Sequence, residues 1–301
     1  MSLASPALTP VCRSCGNHDS VKSQGKLQDA RRFAGTLLPV GITGGTLCRC
    51  RNCGFVFRHP ILTKEDYDTL YRSSTAQSWD EPGRADHELV RAALRRHLGS
   101  GSVLDVGCGA GTLLAPLAGE FAISGIEMNP DASRAAEGRG LKLIGNDLQA
   151  VTNLTAGFDA VVSCDVIEHI ADPVDFLSKA LSLTLPGGLV LVSTGNADAW
   201  SWRLAGARFW YCYCPEHISF VSPNWFDKQA AGLGAEIVSI QQFAYSPNFP
   251  ILAKAARLCL MALYQISPTF YRRIQPVARR NNFPVGRGVT RDHFLVILRK
   301  R

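Results

Sequence analysis

Two residue patterns in this 301-residue chain are dense enough in reactive groups to imply chemistry. Cys12-Arg13-Ser14-Cys15-Gly16 is answered by Cys50-Arg51-Asn52-Cys53-Gly54. Paired C-x-x-C-G turns place four thiolates at the corners of a tetrahedron, and the glycine after each second cysteine lets the backbone fold beneath a metal ion. Cys12, Cys15, Cys50 and Cys53 therefore predict a closed, structural Zn2+ site, with Cys48 and His59 as alternative ligands nearby. In the second pattern, Ser102 to Thr112, an apolar run ends in Asp105 and Gly107, Gly109 and Gly111 then alternate with small residues. That reads as strand, tight turn and helix, with glycine where a Cβ would hold the backbone away from a ligand.

The surrounding residues narrow the ligand. A dinucleotide turn requires G-x-G-x-x-G, and Thr112 occupies the position of its last glycine. Asp105 is unwelcome beside a pyrophosphate but suits a ligand with an ammonium and a sulfonium. The second apolar run closes on Glu127, where an acid can accept both ribose hydroxyls of an adenosine. Asn146-Asp147 closes the third run, suited to reading an adenine amino group, and Asp165 follows the fourth on the same rim.

On these residues the chain resembles the class I S-adenosylmethionine-dependent methyltransferases, over roughly residues 100–245 and the last strand. The resemblance rests on Asp105-Val106-Gly107-Cys108-Gly109-Ala110-Gly111, on Glu127, and on Asp165-Val166-Ile167-Glu168-His169-Ile170. The last run is similar to the subgroup that includes quinone-biosynthesis O-methyltransferases. The resemblance implies S-adenosyl-L-methionine as cofactor. Asp105, Gly107 and Gly109 would hold its methionine part, with Gly111 completing the loop and Asp165 near the same end. Glu127 would hold the ribose, with Met128 beside it, and Asp147 and Leu148 would flank the adenine. The mechanism implied is in-line displacement at the methyl carbon, in a pocket that excludes water, with a base where the acceptor is a hydroxyl.

Two histidines are candidate bases. His169 follows the fourth strand, at the rim where acceptor and cofactor would meet, and His217 lies beyond the fifth. The stretch from Trp200 through Trp202, Phe209, Trp210, Tyr213 and Glu216 to Phe220 is rich in rings for a loop. It predicts an acceptor pocket for a flat or sugar-like small molecule or glycan. Cys212 and Cys214 have no partners at metal spacing.

The elements that would carry these groups alternate. Strands are expected at 102–106, 122–127, 141–144, 158–163, 188–193, 236–244 and 293–299, with helices at 112–119, 130–139, 172–183 and 223–233. The fold class is therefore α/β: a Rossmann-like, seven-stranded, mostly parallel sheet with an antiparallel last strand, plus a small N-terminal zinc ribbon. Residues 11–59 form the ribbon, 60–99 a helical connector, and 100–301 the methyltransferase domain with a helical insert at about 247–287.

Charge and composition bound the partners. Phe249 to Arg301 holds eleven lysines and arginines against one acid, Asp292, within a chain of net charge +7. Ile251–Ile266, bracketed by Pro250 and Pro268, is apolar nearly all round and is followed by Arg272, Arg273, Arg279 and Arg280. Such a segment is either a lid or a peripheral contact with an anionic membrane through residues 250–280. Ten cysteines without a secretory leader predict a cytoplasmic protein, at most peripheral at the inner membrane surface. Three other readings have features to recommend them. An RNA methyltransferase would use the ribbon and basic tail, though the Asn-Pro-Pro-aromatic run of many base-modifying enzymes is replaced by Ser163-Cys164-Asp165-Val166. A deoxysugar C-methyltransferase would share the zinc motif. A non-catalytic scaffold would only sense the cofactor.

Overall fold

Near-continuous apolar runs build the central layer, as required of parallel strands covered on both faces. Val103 and Leu104, Val161 and Val162, and Leu189 to Val192 are all essentially inaccessible to solvent. The computed structural model describes residues 9–74, 83–148, 151, 157–244, 250–267, 270–271, 273 and 290–301.

In chain order, β1 (Val21–Lys26) leads to a hairpin of β2 (Ala30–Phe33) and β3 (Thr36–Ile42), then β4 (Thr46–Cys50) and β5 (Val56–His59). Helices α1 (Lys64–Ser73) and α2 (Ala85–His97) follow. The remainder runs β6 (Gly101–Val106), β7 (Phe121–Ile126), α3 (Pro130–Gly138), β8 (Lys142–Gly145), β9 (Phe158–Cys164), α4 (Pro173–Leu183) and β10 (Thr184–Gly195). It closes with α5 (Trp200–Ala205), β11 (Ser219–Phe220), α6 (Pro223–Gln229), β12 (Ala235–Phe243), α7 (Ile251–Ile266) and β13 (His293–Lys300). Three of the helices share one start signal. Asn129, Asp172 and Ser222 each accept backbone N–H bonds as N-caps and each precedes a proline.

The large sheet has the order β12-β13-β10-β9-β6-β7-β8. From β10 to β8 all pairs are parallel, and β13 is antiparallel to both β10 and β12. The predicted seven strands are therefore present, with the antiparallel strand one place in from the rim. Successive strands depart to opposite sides of β6, which puts a ligand crevice at its carboxyl end.

Three features depart from the sequence expectation. The helix expected at 112–119 is a single 3-10 turn, Ala115–Leu117, because Pro116 has no N–H to donate. The carbonyls of Thr112 and Leu113 accept instead from Arg91 Nη1. The β2–β3 hairpin was not anticipated; Phe33, Leu38 and Ile42 pack there with Leu62, Tyr67 and Leu70. The ribbon strands β1, β4 and β5 also extend into a four-stranded sheet by pairing β5 with β11, from beyond the fifth predicted strand. Of the predicted insert, α7 is described, whereas Arg272, Arg279 and Arg280 lie outside the described residues.

Candidate active site

Where β6 ends, the chain turns through Gly107, Gly109 and Gly111 with φ of +73°, +52° and +81°, backbone that favours glycine. A Cβ on Gly107 would lie 2.5 Å from Val166 Cγ2. On Gly109 it would meet no protein atom, so that space belongs to the cavity the turn faces. Gly111 differs: its Cβ would approach Leu141 Cδ1 at 2.9 Å and Ala136 Cα at 3.2 Å, so it serves helix–strand packing and does not line the cavity.

The cavity measures about 780 Å3 and is lined by Asp105, Gly107, Gly109, Glu127, Met128, Asp147, Leu148 and Asp165. Glu127 is held by backbone donors, Gly109 N–H at 2.9 Å and Asn129 N–H at 2.8 Å, and burial still pushes its carboxyl up. Asp147 is paired with Lys64 Nζ at 3.3 Å. Asp165 has φ +54°, unusual for a residue with a side chain, and its carboxylate meets Arg84 Nη2 at 2.8 Å. Arg84 also grips Asp86 through Nε at 3.1 Å and Nη2 at 2.5 Å. An open glycine cradle, an acid closing β7 and a buried acid before the turn fit an adenosine ligand with a cationic amino-acid end.

The same cavity is lined by Tyr67, Tyr71, His169, Tyr211, Glu216 and His217. His217 Nδ1 is 2.9 Å from the Tyr211 carbonyl oxygen, which fixes the proton on Nδ1 and leaves Nε2 with its lone pair. Burial, reinforced by His169, holds His217 well below the ordinary histidine range, so its ring is neutral. His169 Nδ1 stands 2.8 Å from the Tyr71 hydroxyl and 3.1 Å from the Glu216 carbonyl oxygen. Polar atoms of Glu168, His169 and His217 lie within 4.8 Å of one another. Glu168 accepts from Thr194 Oγ1 at 3.0 Å and from the Tyr211 hydroxyl; burial, then Asp165, pushes its carboxyl up to about 8. Glu216 accepts the Ala34 N–H through Oε1, and its buried Oε2 has no hydrogen-bond partner among the described residues.

Not all of the predicted acceptor residues reach this cavity. Trp210 and Glu216 line it; Trp200, Trp202 and Tyr213 do not. Trp200 is 62% exposed on the surface. Trp202 is buried against Phe209 and Phe220, and the Tyr213 ring packs towards Tyr264. Short 3-10 turns fold this segment into a core shared with Leu27, Leu47 and Val56 of the N-terminal module, and ring density alone does not reveal that.

The cysteine centre assembles as the spacing predicts. The Sγ atoms of Cys12, Cys15, Cys50 and Cys53 lie within 4.8 Å of one another, with Cys12–Cys53 at 3.5 Å and Cys15–Cys50 at 3.7 Å. Four sulfurs bound to zinc at ~2.3 Å would be about 3.8 Å apart, so the donor set fits. Cys48 and His59 stand outside this cluster.

The family model for a methyltransferase domain matches residues 78–240, more than half of the chain. The chain belongs to the class I S-adenosylmethionine-dependent methyltransferases. Among its relatives, the ubiquinone biosynthesis O-methyltransferase of Thiobacillus denitrificans is 30% identical over 208 residues, 62% of this chain and 88% of that protein. That of Dinoroseobacter shibae is 32% identical over 158 residues, 48% of this chain and 64% of its own length. A solved Bacillus halodurans structure described as a methyltransferase shares the fold, at TM-score 0.50 and 17% identity over 72% of this chain and 99% of that one.

In this methyltransferase the cavity has two sources that the sequence did not single out. Both are helices of the connector: Tyr67 and Tyr71 come from α1, and Arg84 and His87 from the start of α2. The only signal available was electrostatic: Asp86, Asp105 and Asp165 needed a cation among them.

When bound, the cofactor supplies a methyl group on a positively charged sulfur. Asp105 is buried, and burial followed by Glu127 raises its carboxyl to about 8. Its contribution to folding stability is therefore fully present below about pH 4 and is lost as pH rises through 8. A cationic ligand favours the carboxylate, so binding below pH 8 should release a proton. Cofactor affinity should then rise with pH by up to about tenfold per unit and level off above 8. Calorimetry at pH 7 in two buffers of different ionisation enthalpy measures this directly, and identical heats would refute it.

Proposed function

We propose that this enzyme methylates an oxygen of a small molecule, or of a glycan or lipid-linked intermediate, with His217 as the proton acceptor and the cysteine cluster holding a structural Zn2+. The observation that carries the reading is the neutral, Nδ1-protonated His217 beside His169 in the cavity wall. A hydroxyl needs its proton removed as it attacks, and amine acceptors have less use for such a base. The buried Glu216 Oε2 offers a further acceptor for a substrate hydroxyl. The relatives named as O-methyltransferases support the same choice. Labelled methyl transfer against catechols, quinols, nucleotide sugars and bulk RNA at low salt tests it. Incorporation confined to RNA or to amines would retire the reading.

A lipid-linked acceptor draws support from α7. Leu252 and Ile266 are 84% and 82% exposed on this apolar helix, and among the described residues none of α7 lines the cavity, which speaks against a lid. No described helix is long and apolar enough to cross a membrane. An interfacial helix beside basic residues should sediment with anionic vesicles at low salt and not with neutral ones. Failure to sediment with phosphatidylglycerol vesicles would discard the membrane contact.

A further inference from the structure

Arg13 sits between Cys12 and Cys15 of the cysteine cluster, and Arg58 lies on β5; neither lines the cavity, yet both side chains reach the backbone of the loop that carries His217. We propose that Arg13 and Arg58 are positioning residues for His217, coupling the ribbon to the loop that carries the base. This rests on the reading of His217 given above.

Arg58 is 2% exposed, and its hydrogen bonds all go to backbone carbonyls. Nε donates to His217 O at 3.1 Å, Nη2 to Cys212 O at 2.9 Å and Cys214 O at 3.1 Å, and Nη1 to Gly44 O at 2.6 Å. One rigid fork thus grips the loop before, within and at the histidine. Arg13 lies over the Phe57 ring, 5.1 Å from its centroid. It donates to Ala171 O at 2.8 Å through Nε, to Arg58 O at 3.1 Å through Nη1, and to Ile218 O at 2.7 Å and Ser219 Oγ at 3.3 Å through Nη2. The residue after His217 is therefore held from the metal knuckle. The same residue's N–H donates to Glu168 O at 2.8 Å, which links both histidine-bearing segments. A buried cation served only by carbonyls is an expensive way to close a loop, because aliphatic packing would exclude water without desolvating a charge. What a guanidinium adds is direction: five fixed N–H vectors that set several carbonyls at once. None of the hydrogen bonds of either arginine goes to the cofactor cradle at 105–128.

The test uses the full-length, zinc-loaded protein and the conservative variants Arg13→Lys and Arg58→Lys, which keep the charge and lose the fork. Two readouts are independent of activity. One is the tautomer of the His217 ring, from nitrogen NMR of histidine-labelled protein assigned with His217→Asn. The other is hydrogen exchange at the Ile218 amide. Each variant should hold S-adenosylhomocysteine within about twofold of the parent affinity. Each should nevertheless lose the Nδ1-protonated signature and exchange the Ile218 amide about tenfold faster. An unchanged ring tautomer and exchange rate overturns the proposal. A fall in cofactor affinity in step with those changes also overturns it, since the arginines would then support the whole fold. If instead His217→Asn methylates as fast as the parent, the base assignment fails while the positioning result stands on its own.

Discussion

Replacing His217 by Asn is expected to lower the methyl-transfer rate by about 10²–10⁴-fold, the usual contribution of a positioned base, with cofactor affinity unchanged. The choice of Asn matters. Its side-chain amide can still donate to the Tyr211 carbonyl oxygen that now takes His217 Nδ1–H at 2.9 Å, so the loop keeps its anchor and loses only the lone pair on Nε2. His217→Ala removes both, and added imidazole should recover part of its rate if the missing group is a base. In the parent, burial holds His217 well below its ordinary value, so activity should show no histidine-limited loss of rate until the pH falls well under 6.5. Single-turnover rates from pH 5 to 9 measure this. An Asn variant that retains full rate would reduce His217 to a loop anchor.

Substituting Cys53 by Ser is expected to abolish zinc binding and to lower the melting temperature by more than about 10 °C. A structural zinc typically contributes ~10–16 kcal/mol to folding of its site, comparable with the whole stability of a domain. Here the cluster is not isolated: Cys12, Cys50, Cys53, Phe55 and Phe57 pack in the same core as Leu104, Phe176 and Trp225 of the methyltransferase domain. β5 also carries β11 in its sheet. Loss of the metal should consequently loosen the acceptor loop before the cofactor cradle. Elemental analysis and melting curves with and without chelator measure this, and coincident curves would mean that the cysteines hold no structural metal.

The sequence by itself determined the parts whose chemistry is local. The C-x-x-C-G turns and the glycine turn after β6 are short motifs whose backbone needs are met by neighbours in the chain. The alternation of apolar runs and amphipathic helices likewise implied a wound sheet, because strands buried on both faces leave a distinctive signature. It also implied a helix at 112–119, and there Pro116 overrode the apolar pattern. The acceptor side was legible only in part. His169, His217 and Glu216 stood out as polar groups in an apolar context, but Trp200, Trp202 and Tyr213 looked the same and fold elsewhere. Arg84, Tyr67 and Tyr71 reach the cavity through the packing of the two helices that precede the large sheet. Arg58 meets His217 across 159 positions of sequence. Contacts of that kind have no period and no spacing. They exist because β11 completes the ribbon's sheet and brings a distant loop within reach of the half-buried Arg13 and the buried Arg58. Only the tertiary structure could decide them.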